Sequence, residues 1–260
     1  MSGTALVTGA GKRLGRAMAL SLAEAGFDVA VHYASSQQAA ESVVEEIRAM
    51  GCRAIPLQAD LLDEDQTTTL VDRAAAELTT PLTLLVNNAS IFEYDTVATG
   101  TRRSWDRHIE SNLRAPVVLT QAFAAQAPDP AYDQYGEPLP RALVVNMIDQ
   151  KVRKLTPQHM SYTIAKMGLW AFTQTAAQAL APKVRVNAIG PGPTLQGARQ
   201  SEANFAAQRA ATVLGRGVNL GDITAALHYL INAPAVTGQL ICVDGGQHLG
   251  WQTPDELGVD

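Results

Sequence analysis

The chain has 260 residues, enough for one large α/β domain, and 47% apolar with 17% charged residues is an ordinary globular composition. A formal net charge of −5 leaves no domain-wide basic surface for phosphates, which argues against a nucleic-acid partner. Two distant cysteines, Cys52 and Cys242, have neither disulfide nor metal-ligand spacing, and no apolar run approaches the ~20 residues of a membrane span. With no signal-peptide pattern at the N-terminus, we predict a cytoplasmic protein without a metal site or a membrane partner.

Short apolar runs alternate with segments of helical periodicity along the whole chain. Most of the runs are rich in Val, Ile and Leu without polar alternation, which is typical of parallel strands buried on both faces. The predicted strands are Ala5–Thr8, Asp28–Tyr33, Arg53–Gln58, Leu82–Asn88, Ala142–Met147, Val184–Ile189 and Gln239–Asp244. The predicted helices are Gly15–Ala25, Ser36–Met50, Asp65–Leu78, Thr101–Gln126, Ser161–Leu180 and Gly221–Ile231. This alternation predicts a single α/β domain over residues 1–260, with a doubly wound parallel sheet and helices on both faces.

The segment 127–141 interrupts this pattern. It is rich in proline and turn-forming residues and is predicted to be a loop. Because it is longer than a typical connection, it is either an insertion or a functional loop.

A glycine-rich turn joins the first strand to the first helix, and it contains Gly9, Lys12, Arg13, Leu14 and Gly15. Glycines allow the backbone to approach a pyrophosphate, which then binds at the helix N-terminus. The position of the turn, after a buried strand and before a helix, predicts a dinucleotide site. The alternative is a tight turn that binds no ligand.

The end of the second strand, His32-Tyr33-Ala34-Ser35-Ser36, bears on which dinucleotide is bound. An NAD site places an acidic residue there to bind the ribose hydroxyls, yet residues 29–40 contain neither Asp nor Glu. The two serines together with Lys12 and Arg13 suit a 2′-phosphate, so the sequence predicts NADPH. Alternatively, the two cations are only solvated and the pocket accepts both cofactors.

Tyr162 and Lys166 are one helical turn apart and therefore share a face of a helix. An ammonium near a phenol favours phenolate, so Lys166 is expected to lower the pKa of Tyr162 towards neutrality. A phenol tuned in this way can pass a proton to a substrate while a nicotinamide supplies hydride. Asp149, thirteen residues before the tyrosine, is the third candidate catalytic group. Other polar elements that accompany the pair are Asn87-Asn88-Ala89, Asn112 and Pro191-Gly192-Pro193-Thr194.

With these residues in place, the chain resembles the short-chain dehydrogenase/reductase family over nearly its whole length. The residues that carry the resemblance, in family order, are Thr8-Gly9 with Gly15, Asp60-Leu61, Asn88-Ala89, Asn112, Tyr162, Lys166, Asn187 and Pro191-Gly192. The resemblance implies a seven-stranded Rossmann sheet, hydride transfer and a homotetramer. It also implies that the segment 195–214 covers the substrate as a lid, although its polarity equally suits a plain surface helix.

The same resemblance implies roles for individual residues. Asn112 would hold a water in a proton relay, and Lys166 would both hold the nicotinamide ribose and tune Tyr162. Cofactor contacts would further include Asp60 and Leu61 at the adenine, Asn88, Ala89 and Ser90 along the cofactor, Thr194 at the carboxamide, and Pro191 and Gly192 beside it.

Two departures from the usual family pattern narrow the substrate. Arg13 stands where most members have a glycine, and Asp149 stands where most have the catalytic serine. Both departures occur together in the pteridine reductases and the related dihydromonapterin reductases. The segment Asn88-Ala89-Ser90-Ile91-Phe92 is also similar to that subgroup, which implies that Phe92 stacks on a pterin. The implied substrate contacts are Arg13, Ser90, Phe92, Asp149 and Tyr162.

The sequence therefore predicts an NADPH-dependent reductase of a dihydropterin, of the dihydromonapterin, dihydrobiopterin or dihydrofolate type. Two alternatives stay open. One is a reductase of ketones or 3-oxoacyl thioesters, in which Asp149 is only a structural substitution. The other is a cofactor-binding regulator without turnover, against which the intact Asn112, Tyr162 and Lys166 argue.

Overall fold

A seven-stranded, all-parallel sheet forms the centre of the computed structural model, which describes residues 3–197 and 200–251. In chain order its strands are β1 (Thr4–Val7), β2 (Asp28–Tyr33), β3 (Ala54–Gln58), β4 (Leu84–Asn87), β7 (Ala142–Met147), β8 (Val184–Pro191) and β9 (Leu240–Val243). A separate hairpin supplies β5 (Ala131–Tyr132) and β6 (Pro138–Leu139). The strand order in the large sheet is β3-β2-β1-β4-β7-β8-β9. The predicted doubly wound Rossmann sheet of seven strands is confirmed.

Helices cover both faces of this sheet. They are α1 (Arg13–Glu24), α2 (Gln37–Ala49), α3 (Glu64–Leu78), α4 (Arg102–Ile109), α5 (Ala115–Gln126), α6 (Met160–Leu180), α7 (Glu202–Ala210) and α8 (Leu220–Asn232). Buried side chains of α1, α2 and α8 form one core cluster, and those of α3, α5 and α6 form the other. Successive residues of β1 alternate between the clusters, since Ala5 and Val7 join the first and Leu6 the second. This double burial is why the strands are apolar throughout.

The predicted helix from Thr101 to Gln126 is divided into three parts. Helix α4 ends at Ile109, a π-helical turn spans Glu110–Arg114, and α5 begins at Ala115. Buried Ser111 and Asn112 lie in this π turn. A π turn inserts an extra residue into the helix, which re-aims side chains and is frequent at functional sites.

The segment predicted as a loop over residues 127–141 contains the hairpin of β5 and β6. The carboxylate of Asp133 accepts hydrogen bonds from the N–H groups of Tyr135 and Glu137, and Gly136 takes a positive φ of 78°. These contacts explain how a proline-rich segment forms a turn between two short strands. The hairpin precedes β7, so it lies at the amino end of that strand.

The strand ends set the position of the site. In an open parallel sheet, ligands bind at the carboxyl ends of the strands where the strand order reverses, which here is between β1 and β4. None of the helices in the described part of the chain is long and apolar enough to cross a membrane.

Candidate active site

A cavity of about 370 Å³ opens at the carboxyl edge of the sheet. It brings together most of the residues expected to bind cofactor or substrate. The expected residues that line it are Arg13, Leu14, Asn88, Ser90, Phe92, Asp149, Tyr162, Lys166, Pro191, Gly192 and Thr194. Gln200, Phe205 and Gln208 of the expected covering segment 195–214 also line it, whereas Gln150 and Gln247 were not anticipated.

The carboxyl group of Asp149 and the phenol of Tyr162 are in direct contact. Asp149 is the second residue after β7, which ends at Met147, and Tyr162 lies in the first turn of α6. The tyrosine hydroxyl donates to Asp149 Oδ2 over 2.9 Å, and the Lys151 N–H donates to Asp149 Oδ1 over 2.8 Å. Strand end and helix start therefore converge to place a carboxyl against a phenol, an arrangement that can hold and pass a proton.

Burial dominates the protonation of both groups. It raises the pKa of the Asp149 carboxyl above its usual 3.8, although hydrogen bonds from Lys151 and Tyr162 act in the opposite direction. Burial, reinforced by the charge of Asp149, also raises the pKa of Tyr162 well above 10. The expectation that the phenol pKa is lowered towards neutrality is therefore wrong for the protein as described, because burial and the neighbouring carboxyl outweigh the hydrogen bond with Ser90. The pKa of the carboxyl, in contrast to that of the phenol, moves towards neutrality.

Lys166 is buried beneath the tyrosine. Its Nζ donates to the carbonyl of Met147 over 2.8 Å and lies 5.7 Å from the centre of the Tyr162 ring. Burial lowers the pKa of Lys166 to about 8, while the charge of Asp149 acts to raise it. The carbonyl of Met147 thus fixes the lysine, a contact that no side-chain motif in the sequence signals.

Asn112 acts on the site through the backbone of Ile91. Its Oδ1 accepts from the Ile91 N–H over 2.8 Å, and its Nδ2 donates to the Ile91 carbonyl over 2.8 Å. The side chain is fully buried in the π turn. The amide therefore holds the segment that carries Ser90 and Phe92. This positioning role differs from the expected role of Asn112, which was to hold a water in a proton relay.

Phe92 forms one side of the cavity. Its ring stacks on His159, with centroids 4.1 Å apart, and meets the Tyr162 ring edge-on at 4.7 Å. Because 54% of the residue stays exposed, an apolar face is available to a flat ligand. His159, which takes a left-handed conformation just before α6, was not anticipated.

Arg13 adopts a conformation that suits glycine better. Its φ of 54° lies in the left-handed region, which costs an L-residue roughly 1–2 kcal/mol. Its guanidinium donates to the carbonyls of Leu195 over 3.3 Å and Gln196 over 3.1 Å. Arg13 therefore links the glycine-rich turn to the segment 195–214, and it stands on the wall of the same cavity as Asp149.

The segment 195–214 contains α7 and lies over the cavity, since Gln200, Phe205 and Gln208 line it. Arg209 anchors this helix, because its Nη1 donates to the carbonyls of Pro193 over 3.0 Å and Val218 over 2.6 Å. The expectation of a covering segment also included residues 198 and 199, which lie outside the described residues.

The residues expected to contact the cofactor's adenosine end do not all lie in one place. Lys12, Ser35 and Ser36 line one open groove beside the end of β2. His32, by contrast, is buried behind the turn: its Nδ1 accepts from the Gly9 N–H over 3.0 Å and its Nε2 faces the Ala59 carbonyl at 3.1 Å. Burial lowers the pKa of His32 to about 4, so the ring is neutral and supports the turn from within.

The other expected adenosine contacts play structural parts in the described chain. Tyr33 packs against the core cluster of α1 and α2, and Leu61 is buried in the opposite cluster. Asp60 is exposed, and its carboxylate accepts from the N–H of Leu62 over 3.0 Å.

Two glycines are required by close backbone approach. A Cβ at Gly15 would lie 2.2 Å from the Gly9 carbonyl oxygen, and one at Gly192 would lie 2.6 Å from the Cα of Asp244. Beside Gly192, the hydroxyl of Thr194 donates to the Gly192 carbonyl over 3.0 Å. Asn88 completes the floor, since its Nδ2 donates to the Thr8 carbonyl over 2.8 Å and Thr8 Oγ1 accepts from the Ala89 N–H over 2.9 Å.

A buried polar cluster tethers the start of α6. Asp95 Oδ1 accepts from the Ser161 N–H over 3.1 Å, and its Oδ2 accepts from the Ser161 hydroxyl. The same hydroxyl meets Nδ1 of buried His108 at 2.7 Å. Because Ser161 directly precedes Tyr162, this cluster fixes the tyrosine's backbone. No spacing in the sequence identified it.

The amino-acid sequence matches a known protein family. A family model described as short chain dehydrogenase matches residues 3–206, and the chain belongs to this family. The predicted family and its oxidoreductase class are thereby confirmed. Individual relatives of the chain bear on the subgroup within this family.

Those relatives point to two chemistries. The FolM alternative dihydrofolate reductase 1 of Brucella suis, solved in complex with NADP, is 42% identical with a TM-score of 0.89, covering 97% of this chain and 98% of its own. The corresponding Brucella canis protein with NADP is 40% identical with a TM-score of 0.88, covering 98% of each chain. A 3-oxoacyl-[acyl-carrier-protein] reductase of Staphylococcus aureus is 31% identical over 254 residues, which are 96% of this chain and 99% of the relative.

Proposed function

We propose that this protein is an NADPH-dependent reductase of dihydropterins. The observation that carries the proposal is the buried carboxyl of Asp149, hydrogen-bonded to Tyr162 at the wall of the cavity. A pterin ring accepts hydride at a carbon–nitrogen double bond, and the nitrogen must gain a proton. Burial raises the pKa of this carboxyl and so favours its protonated form, which can deliver its proton through the adjacent phenol.

The shape of the cavity supports a flat, polar substrate. The exposed face of Phe92 offers an aromatic surface, while Arg13 and Lys151 bring donors to the wall. A ring stacked against Phe92 would lie beside Tyr162, since the two side chains are in edge contact. Two similar Brucella proteins are named as dihydrofolate reductases, and dihydrofolate contains a pterin. This similarity supports the same substrate class.

The residues of the chain also fit NADPH. Helix α1 begins at Arg13 without a side-chain cap in the described structure, which leaves N–H groups available to a pyrophosphate. Lys12, Ser35 and Ser36 around one groove suit a 2′-phosphate, and the end of β2 carries no competing acid among the described residues. Solved relatives hold NADP, which supports this cofactor.

In this proposal the cofactor supplies hydride from its nicotinamide. Asp149 holds the proton, Tyr162 relays it to the substrate nitrogen, and Lys166 lies beneath the phenol to bind the nicotinamide ribose. Asn112 keeps the Ser90–Phe92 segment in place through Ile91, so the substrate is oriented against the proton donor. The covering segment around α7 excludes water from the reacting atoms.

A second function is favoured by a specific observation. A relative that matches nearly the whole chain at 31% identity is named as a 3-oxoacyl-[acyl-carrier-protein] reductase. A ketone oxygen can receive its proton from Tyr162 alone, so that reaction does not need Asp149 as an acid.

The test is oxidation of NADPH, followed by its absorbance, with dihydromonapterin, dihydrobiopterin, dihydrofolate and acetoacetyl thioester as separate substrates. We expect turnover with at least one dihydropterin and little with the thioester. Turnover with the thioester alone would contradict the proposal and support the second function.

A further inference from the structure

The side chain of Gln150 is polar and buried at the wall of the cavity, and its oxygen has no hydrogen-bond partner among the described residues. Gln150 follows Asp149 and begins a short 3₁₀ turn over Gln150–Val152. Only 7% of the residue is exposed, and its carboxamide oxygen Oε1 has no donor within the described structure. Buried polar groups are almost always paired, so each exception needs an explanation.

Two other buried polar atoms in the described residues also lack partners, and they differ in position. Asn87 Oδ1 and Arg185 Nε belong to side chains that are otherwise hydrogen-bonded within the core. Neither residue lines the cavity, whereas Gln150 does. The side chain of Gln150 also makes no other hydrogen bond among the described residues. No hydrogen bond among the described residues therefore holds the amide in place, although Oε1 itself is buried.

The chemistry of that amide limits what it can bind. A carboxamide oxygen accepts, so it requires an N–H or O–H donor, and the amide nitrogen donates in return. The pyrimidinone half of a pterin carries N–H groups beside a carbonyl and can satisfy both. The reacting carbonyl of a ketone or thioester has no donor to offer and would leave the oxygen of Gln150 unpaired.

We propose that Gln150 is a specificity-determining residue whose carboxamide turns towards the cavity when substrate binds and accepts, through Oε1, a hydrogen bond from an N–H of the substrate heterocycle. This inference rests on the proposed reduction of dihydropterins and assigns one residue to substrate choice. Gln150 takes no part in proton transfer, which Asp149 and Tyr162 perform. It acts on binding of the substrate and leaves cofactor binding unchanged.

The test compares Gln150→Met with Gln158→Met. Methionine has nearly the length of glutamine and cannot make these hydrogen bonds, while Gln158 is exposed, close in sequence and absent from the cavity wall. For Gln150→Met we expect KM for the dihydropterin to rise about tenfold or more, with KM for NADPH within about twofold of wild type. The Gln158→Met control should match wild type in both constants.

A measurement of stability separates binding from damage. Removing an unpaired buried acceptor should leave the melting temperature of the ligand-free Gln150→Met protein unchanged or higher. A dihydropterin KM within twofold of wild type would overturn the proposal, as would equal rises in both KM values with a lower melting temperature. If Gln150→Met does not fold, Gln150→Ala gives the same comparison with a smaller side chain.

The two proposals fail in different ways. If the wild-type protein reduces the thioester and none of the dihydropterins, the proposed function is wrong. The role of Gln150, which requires a heterocyclic N–H, then falls with it, whereas an unchanged dihydropterin KM in Gln150→Met overturns the role of Gln150 alone.

Discussion

Replacing Asp149 by asparagine removes the acidic group and keeps nearly the same side-chain shape. Asparagine has almost the same shape, and its Oδ1 can still accept from the Lys151 N–H, which Asp149 accepts over 2.8 Å. The contact that changes is the 2.9 Å hydrogen bond from the Tyr162 hydroxyl, because an amide nitrogen cannot accept it. The variant therefore separates the carboxyl's proton from its packing.

The expected loss follows from the role of the carboxyl as an acid. General acid catalysis by a positioned side chain contributes roughly 10²–10⁴-fold, or about 3–5 kcal/mol of activation free energy. We expect kcat for the dihydropterin to fall by that factor in Asp149→Asn. NADPH binding should change little, since Lys166 and the glycine-rich turn are untouched.

The pH dependence gives the sign of the effect. Because burial raises the pKa of Asp149 above 3.8, the folded protein keeps this proton at pH values where an exposed aspartate has lost it. A reaction that uses the proton is fast below the raised pKa and slows as pH rises through it. The wild-type profile of kcat should therefore show a declining limb that Asp149→Asn lacks.

Stability follows the same linkage. The pKa of Asp149 is higher in the folded chain than in the unfolded chain, so protonation of Asp149 stabilises the fold. This contribution is complete below about pH 3.8 and is lost as pH rises through the folded-state pKa. Asparagine stays neutral throughout, so the melting temperature of Asp149→Asn relative to wild type should increase with pH.

The assay is steady-state oxidation of NADPH with a saturating dihydropterin from acid to mildly alkaline pH, with melting curves in the same buffers. A kcat within threefold of wild type would refute the reasoning. So would a declining limb that is unchanged in the variant.

Three further changes test other parts of the site. Tyr162→Phe should lower kcat by roughly 10²–10⁴-fold with NADPH affinity, measured by fluorescence, nearly intact; a large loss of affinity would contradict a purely catalytic role. Lys12→Ala should raise KM for NADPH several-fold and leave KM for NADH unchanged, and equal effects on both would refute the 2′-phosphate assignment. Asp95→Asn should lower the free energy of unfolding by about 1–3 kcal/mol in urea titrations, because an amide nitrogen in place of Oδ2 cannot accept the hydrogen bond from the Ser161 hydroxyl, which also meets His108; unchanged stability would contradict the tether.

Much of the fold follows from the sequence because burial on both faces leaves a direct trace. The Val, Ile and Leu runs predicted all seven strands of the large sheet, and their alternation with helices predicted the parallel order. Boundaries shifted where side chains replace ladder hydrogen bonds. Leu82 was assigned to a strand, yet its N–H donates to the Gln126 side chain over 2.7 Å, and β4 begins at Leu84.

Parts of the site depend on contacts that the sequence does not contain. Helical periodicity continues through Asn112, so the π turn could not be distinguished from an ordinary helix. The resemblance to the short-chain dehydrogenase/reductase family implied that Asp149 lies beside Tyr162, but the balance between burial and charge that sets their pKa values is a property of the folded cavity. Asp95 and Gln150 act through partners, or the lack of one, that only the packed chain defines.

We propose that the pair of Asp149 and Tyr162 makes this a pterin site within the short-chain dehydrogenase family. The most direct test is a competition in which wild-type protein and Asp149→Ser each receive NADPH with equal concentrations of a dihydropterin and acetoacetyl thioester. The ratio of products reports the ratio of the two kcat/KM values. We predict that the wild-type protein forms reduced pterin almost exclusively and that Asp149→Ser loses this preference by about a hundredfold or more. A wild-type protein that reduces mainly the thioester, or an Asp149→Ser variant with an unchanged ratio, would contradict the account.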